Sequence, residues 1–348
     1  MMQEKKIVPL DKFINTALYN KKFGYYMKKN PFGKKGDFVT APLISKLFGE
    51  MLTVWCVAFW EELKKPKKII IVELGPGDGS LCKDILETSK KFKNFYQGLE
   101  INLLEISNKL KNIQRKRIKN KKVKWIKKIN EINKGPIIFI CNEFFDSLPI
   151  KQIQQSKNSY FEKYVYLSKN NKKIKFLYKK ANKNLINNIQ RLDLCNFGDV
   201  IEYPVGAIDY LKIISKKIKK YNGGLLALDY GYINNKNQNT LQSVSKHRYA
   251  SIYSKPGNVD ITSHINFDLF STILKKNKLS VKKVISQNEF LQKMGIINRA
   301  NILSKKMNFY SKADLFYRLK KLLDQKEMGS IFKVLFAQKK GNKFSLGF

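Results

Sequence analysis

The sequence is short of the residues that metal chemistry needs. It has only two histidines, His247 and His264, and four cysteines, Cys56, Cys82, Cys141 and Cys195, none in C-x-x-C spacing. A multi-histidine metal centre and a zinc site are therefore not expected, and no metal is assigned. The cysteines sit among apolar neighbours and read as buried thiols, not as a disulfide framework.

Long hydrophobic runs are missing too. The longest apolar stretches, Lys68 to Leu74 and Gly224 to Leu228, fall far short of the roughly 20 residues that cross a bilayer, so no membrane span is expected. The opening MMQEKKIVPLDKF lacks the apolar core of a signal peptide and the arginine-rich, acid-poor character of a transit peptide. The expectation is a cytoplasmic protein.

Arginine is scarce: Arg115, Arg117, Arg191, Arg248, Arg299 and Arg318 are the only ones among 68 basic residues. A net charge of +41 suggests nucleic acid at first sight. Yet arginine is the side chain best shaped for phosphate, and the lysines travel with Asn and Ile along the whole chain, as in NKKIKFLYKKANKNLINNIQ. The bias is compositional, and nucleic acid is an unlikely partner. Its physical consequence is a positive field that attracts acidic partners and is screened by salt.

What is present is a chain of 348 residues, 43% hydrophobic, long enough for a large core. Residues 1–65 read as mainly helical, with a glycine-rich break at Gly24 to Gly36 and an apolar helix from Leu43 to Leu63. The periodicity then changes. IIIVEL at 69–74 is a short continuous apolar run, as in a strand covered on both faces. Helix from Ser80 to Lys90, strand in Phe95 to Glu105, helix from Asn108 to Ile118, strand at Val123 to Ile126 and IIFIC from Ile137 follow in alternation. This predicts an α/β fold with a doubly wound, mostly parallel sheet.

Residues 150–199 alternate polar and apolar and predict an inserted antiparallel β lobe. The core is expected to occupy 66–149 and 200–348. Within its second part, a helix from Ala207 to Lys220 stops at Asn222-Gly223-Gly224 and feeds the strand LLALDY. Helices over Phe267 to Lys276 and Leu303 to Gln325, and strands at Val281 to Ser286 and Phe332 to Gln338, complete the expectation.

The stretch VELGPGDGSL carries the first functional signal. Glu73, Gly75, Gly77 and Gly79 fit E-x-G-x-G-x-G at a strand-to-helix junction, where glycine lets the backbone turn sharply and a ligand approach closely. The spacing differs from G-x-G-x-x-G, so glycines alone decide little. Glu73 at the strand tip can accept a hydrogen bond from a ligand ammonium, and Glu105, at the tip of the second strand, can accept both hydroxyls of a ribose. Glu100 competes for that role but falls inside the strand. An ordinary βα turn with two surface acids is the plain alternative.

ELGPGDGSL, LLEISNKL, CNEFFDSLP and LALDYG, taken in order, resemble the strand ends of class I S-adenosylmethionine-dependent methyltransferases. More narrowly, FGYYM, GDFVTAPLISKLFGEML, NEFFDSLP, PGNVDITSHINF, QNEFLQKMGI and MGSIFKVLF resemble the MidA family, whose mitochondrial members are protein arginine methyltransferases that assist complex I assembly. The resemblance implies a Rossmann-like class I methyltransferase fold with S-adenosyl-L-methionine as cofactor. It also implies a protein substrate, with a respiratory complex I subunit as one candidate, and work in the mitochondrial matrix if the source is eukaryotic. Two positions depart from the family pattern: Asp78 stands where arginine is usual, and Lys127 where an acid often faces the adenine.

On that resemblance Glu73, Gly75, Gly77, Gly79, Glu105 and Asn142 are the candidate cofactor residues, with Asp37 and Thr40 in a flap that includes Gly36 and Phe38. Asn142-Glu143-Phe144-Phe145-Asp146 resembles the [ND]PPY loop of amino-group methyltransferases, with Phe145 in the aromatic place. A guanidinium, unlike an amide, calls for negative charge. Glu143 is therefore the first catalytic candidate and Asp146 the second, with a cap on a short helix as the equal alternative for Asp146-Ser147. His264 in DITSHINF is a candidate proton acceptor or substrate ligand, or a loop residue bonded to Asp260. Asp229-Tyr230-Gly231 and Glu202-Tyr203 are candidates for the pocket wall. Methylation of RNA or a small molecule, and a non-catalytic assembly chaperone on the same fold, are the competing readings.

Overall fold

The computed structural model describes residues 7–33, 36–37, 40–157, 159–168, 173–194, 200–233, 239–245, 248–249, 252 and 256–348. Among the described residues the central sheet has nine strands, seven of them in one continuous path: β1 (Ile69–Leu74), β2 (Leu99–Leu104), β3 (Val123–Ile126), β4 (Ile137–Asn142), β5 (Gly223–Tyr232), β6 (Leu279–Val281) and β7 (Phe332–Lys339); the short pieces Ile265–Asn266 and Ile285–Ser286 pair with β5 and β7 off that path. The order along the path is β6-β7-β5-β4-β1-β2-β3. β7 runs antiparallel to β5, while β5, β4, β1, β2 and β3 are mutually parallel. The chain winds outward from β1 in one direction and from β4 in the other, which opens a crevice at their C-terminal ends, the usual ligand position of open α/β sheets.

The all-apolar look of β1 has a direct cause. Ile69 and Ile71 join one hydrophobic cluster and Ile70, Val72 and Leu74 another, because alternate side chains enter opposite faces and both faces are covered. β4 divides likewise, Ile138 and Ile140 against Ile137, Phe139 and Cys141. The helices that position the site are α1 (Leu10–Tyr19), α2 (Lys46–Glu62), α3 (Ser80–Ser89), α4 (Asn108–Arg117), α5 (Val205–Tyr221) and α6 (Phe267–Lys276). Farther on lie α7 (Ile296–Ser304) and α8 (Phe309–Leu323).

A second, antiparallel sheet is formed by residues 151–156, 159–167, 174–180 and 200–203, with Val8–Pro9 pairing on 159–167 through the register Val8↔Val165. The strand at 200–203 and the N-terminal strand both lie outside the stretch 150–199. α1 follows directly and buries Leu10, Phe13, Ile14, Ala17 and Leu18 against Ile150, Val165, Val259 and Ile261. A third small sheet includes Asp260–Thr262 and fixes Asp260 near α1.

Several expected elements are divided. The helix expected from Leu43 to Leu63 breaks at Ser45, which leaves helical geometry (φ −150°) so that its hydroxyl can accept from Leu47 N–H, at 3.3 Å. The helix expected over 303–325 becomes α7 and α8, because Asn308 caps α8 by accepting from Ser311 N–H at 2.9 Å. The stretch 95–105 begins with a helical turn anchored by buried Phe95, and only 99–104 is strand. The strand expected at 281–286 is two short pieces, Leu279–Val281 and Ile285–Ser286, both paired with β7.

Candidate active site

A cavity of about 390 Å³ opens at the C-terminal ends of β1, β4 and β5, beside a smaller one of about 40 Å³. Gly75 (φ +65°) and Gly77 (φ +56°) make the turn after β1 in left-handed geometry that other residues adopt only at a cost. A Cβ on Gly75 would lie 2.8 Å from the Phe144 ring, and one on Gly77 3.3 Å from the Phe32 ring. The bare backbone at these two positions is thus part of the wall. Gly79 is different: it starts α3, its missing Cβ would meet Ile118, and it does not line either cavity.

Glu73 is 3% exposed and its Oε2 has no hydrogen-bond partner among the described residues; burial, then Asp78 and Asp84, push its carboxyl up to about 8. Asn142 Oδ1, at the tip of the adjacent β4, is equally unpartnered, and both side chains line the smaller cavity. Two buried acceptors lacking donors mark a place built for a donor, such as an ammonium.

Glu105 lines the large cavity, with its carboxylate accepting from Ser107 N–H at 2.7 Å and Gln114 Nε2 at 3.1 Å; burial raises its pKa. Gln114 also donates to Gly77 O at 2.7 Å and accepts from Trp125 Nε1 at 2.9 Å, so one amide ties the glycine turn to the second acid. Glu100 instead pairs with Lys124 and Lys134 away from the cavity. Asp78 accepts from Ser80 N–H at 3.0 Å and forms an ion pair with Arg117. Lys127 is exposed, and its backbone N–H donates to Glu131 at 2.9 Å.

The other end of the cavity is acidic in a chain of strongly positive charge. Glu143 sits at φ +52°, anchored by its N–H donating to Leu228 O at 3.0 Å, and its carboxyl is pushed up to about 8 by burial and by Asp229. Asp229 accepts from the backbone N–H groups of Phe145, Asp146 and Tyr230, yet burial still raises it to about 7. Asp146 is raised by burial and by Asp229, Glu143 and Asp260, and its Oδ1 has no partner among the described residues. Asp260 accepts from the Tyr26 phenol at 3.0 Å and is also raised to about 7, chiefly by burial. Four crowded carboxyls with raised pKa values disfavour their own charge and favour a cation in their midst.

Aromatic rings close this end. Tyr19 and Tyr26 stack at 5.7 Å, and the Tyr19 hydroxyl donates to Ser147 O at 2.9 Å. Both tyrosines, with Tyr210, Tyr230 and Phe144, line the cavity.

The cavities bring together Glu73, Gly75, Gly77, Glu105, Asn142, Glu143, Asp146 and Thr40. Three candidates stand outside. Gly79 packs on α4, Asp37 accepts from the Tyr25 phenol at 2.5 Å, and His264 lies beside Tyr230, ring centroids 6.1 Å apart. The backbone N–H of His264 donates to Thr240 Oγ1, and burial lowers the imidazole pKa. Phe38, the flap aromatic, lies outside the described residues, as do Cys195 and His247. Glu202 is half-buried and held by Gln152, Thr240 and Leu241, and Tyr203 belongs to the core; neither lines the cavity. Among the described residues no cluster of His, Cys, Asp and Glu could hold a metal ion, and no helix is long and apolar enough to cross a membrane.

Tyr19, Tyr26 and Asp260 were not singled out as site residues from the sequence. Tyr26 lies in FGYYM and Asp260 in PGNVDITSHINF, two of the family blocks, and that was the available signal. Tyr19 had none.

Comparison with known proteins agrees with this geometry. The chain is 29% identical to protein arginine methyltransferase NDUFAF7, mitochondrial, of Xenopus laevis over 94% of its own length and 80% of the relative's. It is 27% identical to the Homo sapiens protein of the same name over 93% and 78%. A Burkholderia thailandensis protein solved with S-adenosyl-homocysteine shares the fold at TM-score 0.82 and 21% identity, covering 98% of this chain and 90% of that one. Residues 51–285 match the model of the family described as "Putative S-adenosyl-L-methionine-dependent methyltransferase". With two thirds of its length matched and the glycine turn, paired acids and strand order in place, the chain belongs to this family of S-adenosyl-L-methionine-dependent methyltransferases.

Proposed function

We propose that this methyltransferase acts on the guanidinium of an arginine in a protein partner, at the acidic end of the cavity. The carrying observation is the half-buried Glu143 with buried Asp146 and Asp260 on the cavity wall beside the stacked Tyr19–Tyr26 pair, and Asp229 buried behind them. A guanidinium is planar and always charged, and it suits both carboxylates and aromatic faces. RNA fits poorly here, since its phosphates would face Glu143, Asp146 and Asp260.

The unpartnered acceptors of Glu73 and Asn142, the Gly75–Gly77 backbone and Glu105 suit the ammonium, body and ribose of S-adenosylmethionine. When bound, this cofactor supplies an electrophilic methyl on a positively charged sulfur. Glu143 and Asp146 would hold the guanidinium and draw its charge away from the reacting nitrogen. Burial pushes the Glu143 carboxyl up to about 8 in the empty site, so a guanidinium bound beside it would first displace its proton and leave a carboxylate able to take the one that the reacting nitrogen sheds. His264 has no part in this scheme because it does not line the cavity. Phe144 and the tyrosines exclude water and fix the approach.

The family resemblance and the relatives' name support a protein acceptor, and we take a respiratory complex I subunit as the first to test. The working compartment would then be the bacterial cytoplasm or the mitochondrial matrix. The deciding experiment incubates the chain with methyl-labelled S-adenosylmethionine and partner proteins, then locates label by mass spectrometry. Label on arginine side chains is expected; label on RNA, on a metabolite or nowhere would overturn the reading.

A further inference from the structure

α7 and α8 form a helical hairpin whose connection, residues 305–308, reads KKMN. Phe309 and Tyr310 open α8 at 79% and 83% exposure, higher than any other large apolar side chain described, and Met307 and Ile302 are exposed beside them in sequence. The two rings meet edge to face at 5.8 Å. The far part of α8 is anchored by buried Leu319 and Leu322 and by Arg318, which donates to Ile44 O at 3.2 Å. The first turn is held in regular helix by its Asn308 cap. A capped helical turn, and not a loose loop, thus presents two aromatic rings to solvent.

The charge around this tip has one sign. Lys305, Lys306 and Lys312 are exposed, and the acid nearby, Asp314, is engaged by Arg318 at 2.7 Å. A knob of this size offers a folded partner little of the roughly 800 Å² per side that a stable protein interface buries. A lipid surface can deform around such a knob. Phenylalanine and tyrosine settle at head-group depth, and adjacent lysines gain from anionic phosphates.

We infer that the hairpin tip of Met307, Phe309 and Tyr310, ringed by Lys305, Lys306 and Lys312, docks the protein on an anionic lipid bilayer surface. The docking is peripheral and leaves the methyl-transfer cavity free, so the two functions stand or fall separately.

Flotation of the full chain with vesicles tests this. It floats with equal parts phosphatidylcholine and phosphatidylglycerol and not with phosphatidylcholine alone. The variant Phe309→Ser/Tyr310→Ser lowers partition by at least about tenfold, and Lys305→Ala/Lys306→Ala/Lys312→Ala by about a hundredfold. Both keep the wild-type melting temperature and affinity for S-adenosylmethionine. A Phe309→Trp variant shifts its emission to the blue on adding the anionic vesicles. Failure of the wild type to float, equal partition of the serine variant, or unshifted emission overturns the inference. A wild-type dimer that the serine variant dissolves would overturn it as well, in favour of a second copy of the chain on the same tip.

Discussion

The phenol of Tyr26 donates to a carboxylate oxygen of Asp260 at 3.0 Å, joining the N-terminal segment to a strand 234 residues later at the acidic end of the cavity. That bond lowers the Asp260 pKa against the larger effect of burial. Tyr26→Phe is expected to keep the stack on Tyr19, cost about 1 kcal/mol of stability and raise KM for the acceptor by about fivefold. Cofactor affinity should not move. Steady-state kinetics with calorimetry checks the split, and a weakened cofactor with an unchanged acceptor KM would reverse the assignment of the two ends.

Glu73 and Glu143 hold protons up to about pH 8, and Asp229 and Asp260 up to about 7, whereas the unfolded chain releases them near about pH 4. Between these limits the folded state binds more protons, so these groups make stability fall as pH rises. In Glu73→Gln this fall should be shallower in melting curves taken from pH 5 to 8. Binding of S-adenosylmethionine near pH 7 should expel protons from the wild type and fewer from the variant. Titration in two buffers of different ionisation heat measures this, and equal proton release in both proteins would remove Glu73 from the ammonium site.

Gly75 has no room for a side chain. With φ at +65° and Phe144 2.8 Å from a built Cβ, Gly75→Ala is expected to cost about 1–2 kcal/mol in backbone strain and to displace the ring. Cofactor affinity should drop by at least about tenfold. Wild-type affinity in a folded variant would mean that the turn is not the cradle.

Glu143→Gln should leave cofactor and acceptor binding within about twofold but slow the chemical step by about a hundredfold, as expected for a lost electrostatic and proton-accepting group. Asp146→Asn should act mainly on acceptor KM. Single-turnover measurements separate the two, and an unchanged rate in Glu143→Gln would take it out of the mechanism.

Asp78 and Arg117 form an ion pair that ties the start of α3 to the end of α4. Asp78→Arg, which installs the residue usual in the family, should destabilise by about 1–2 kcal/mol by setting two guanidinium groups together. Adding Arg117→Asp should recover most of the loss. Thermal melts of the singles and the double close the cycle; no recovery would show that the pair does not couple.

Sequence pattern disclosed those parts of the molecule that depend on neighbours in the chain. β1 and β4 were legible because both faces are covered, and the glycine turn because left-handed backbone admits few residues. Glu105 was separable from Glu100 by position at the strand tip. The acidic end was only half legible. Glu143 and Asp146 follow β4 directly, but Tyr19, Tyr26 and Asp260 arrive from α1, its following segment and a three-residue strand, and nothing local marks their meeting. The placement of His264 was hidden for the same reason: its neighbourhood in sequence includes Asp260, while its ring packs beside Tyr230 and does not line the cavity. Ser45 and Asn308 broke expected helices by capping, a signal that was present in the residue types and outweighed by the apolar pattern around them.

The burial of α1 against Ile150, Val165, Val259 and Ile261 sets a schedule for biosynthesis. The residues of this helix find their cover only well after they are made, since Val8 waits for Val165 and Tyr26 for Asp260. Until then Leu10, Phe13 and Ile14 are greasy and unsheltered, a natural target for trigger-factor-like holdases and for proteases. Strands β1 to β4 can pair meanwhile, so the acidic end of the cavity closes only once Asp260 has been made.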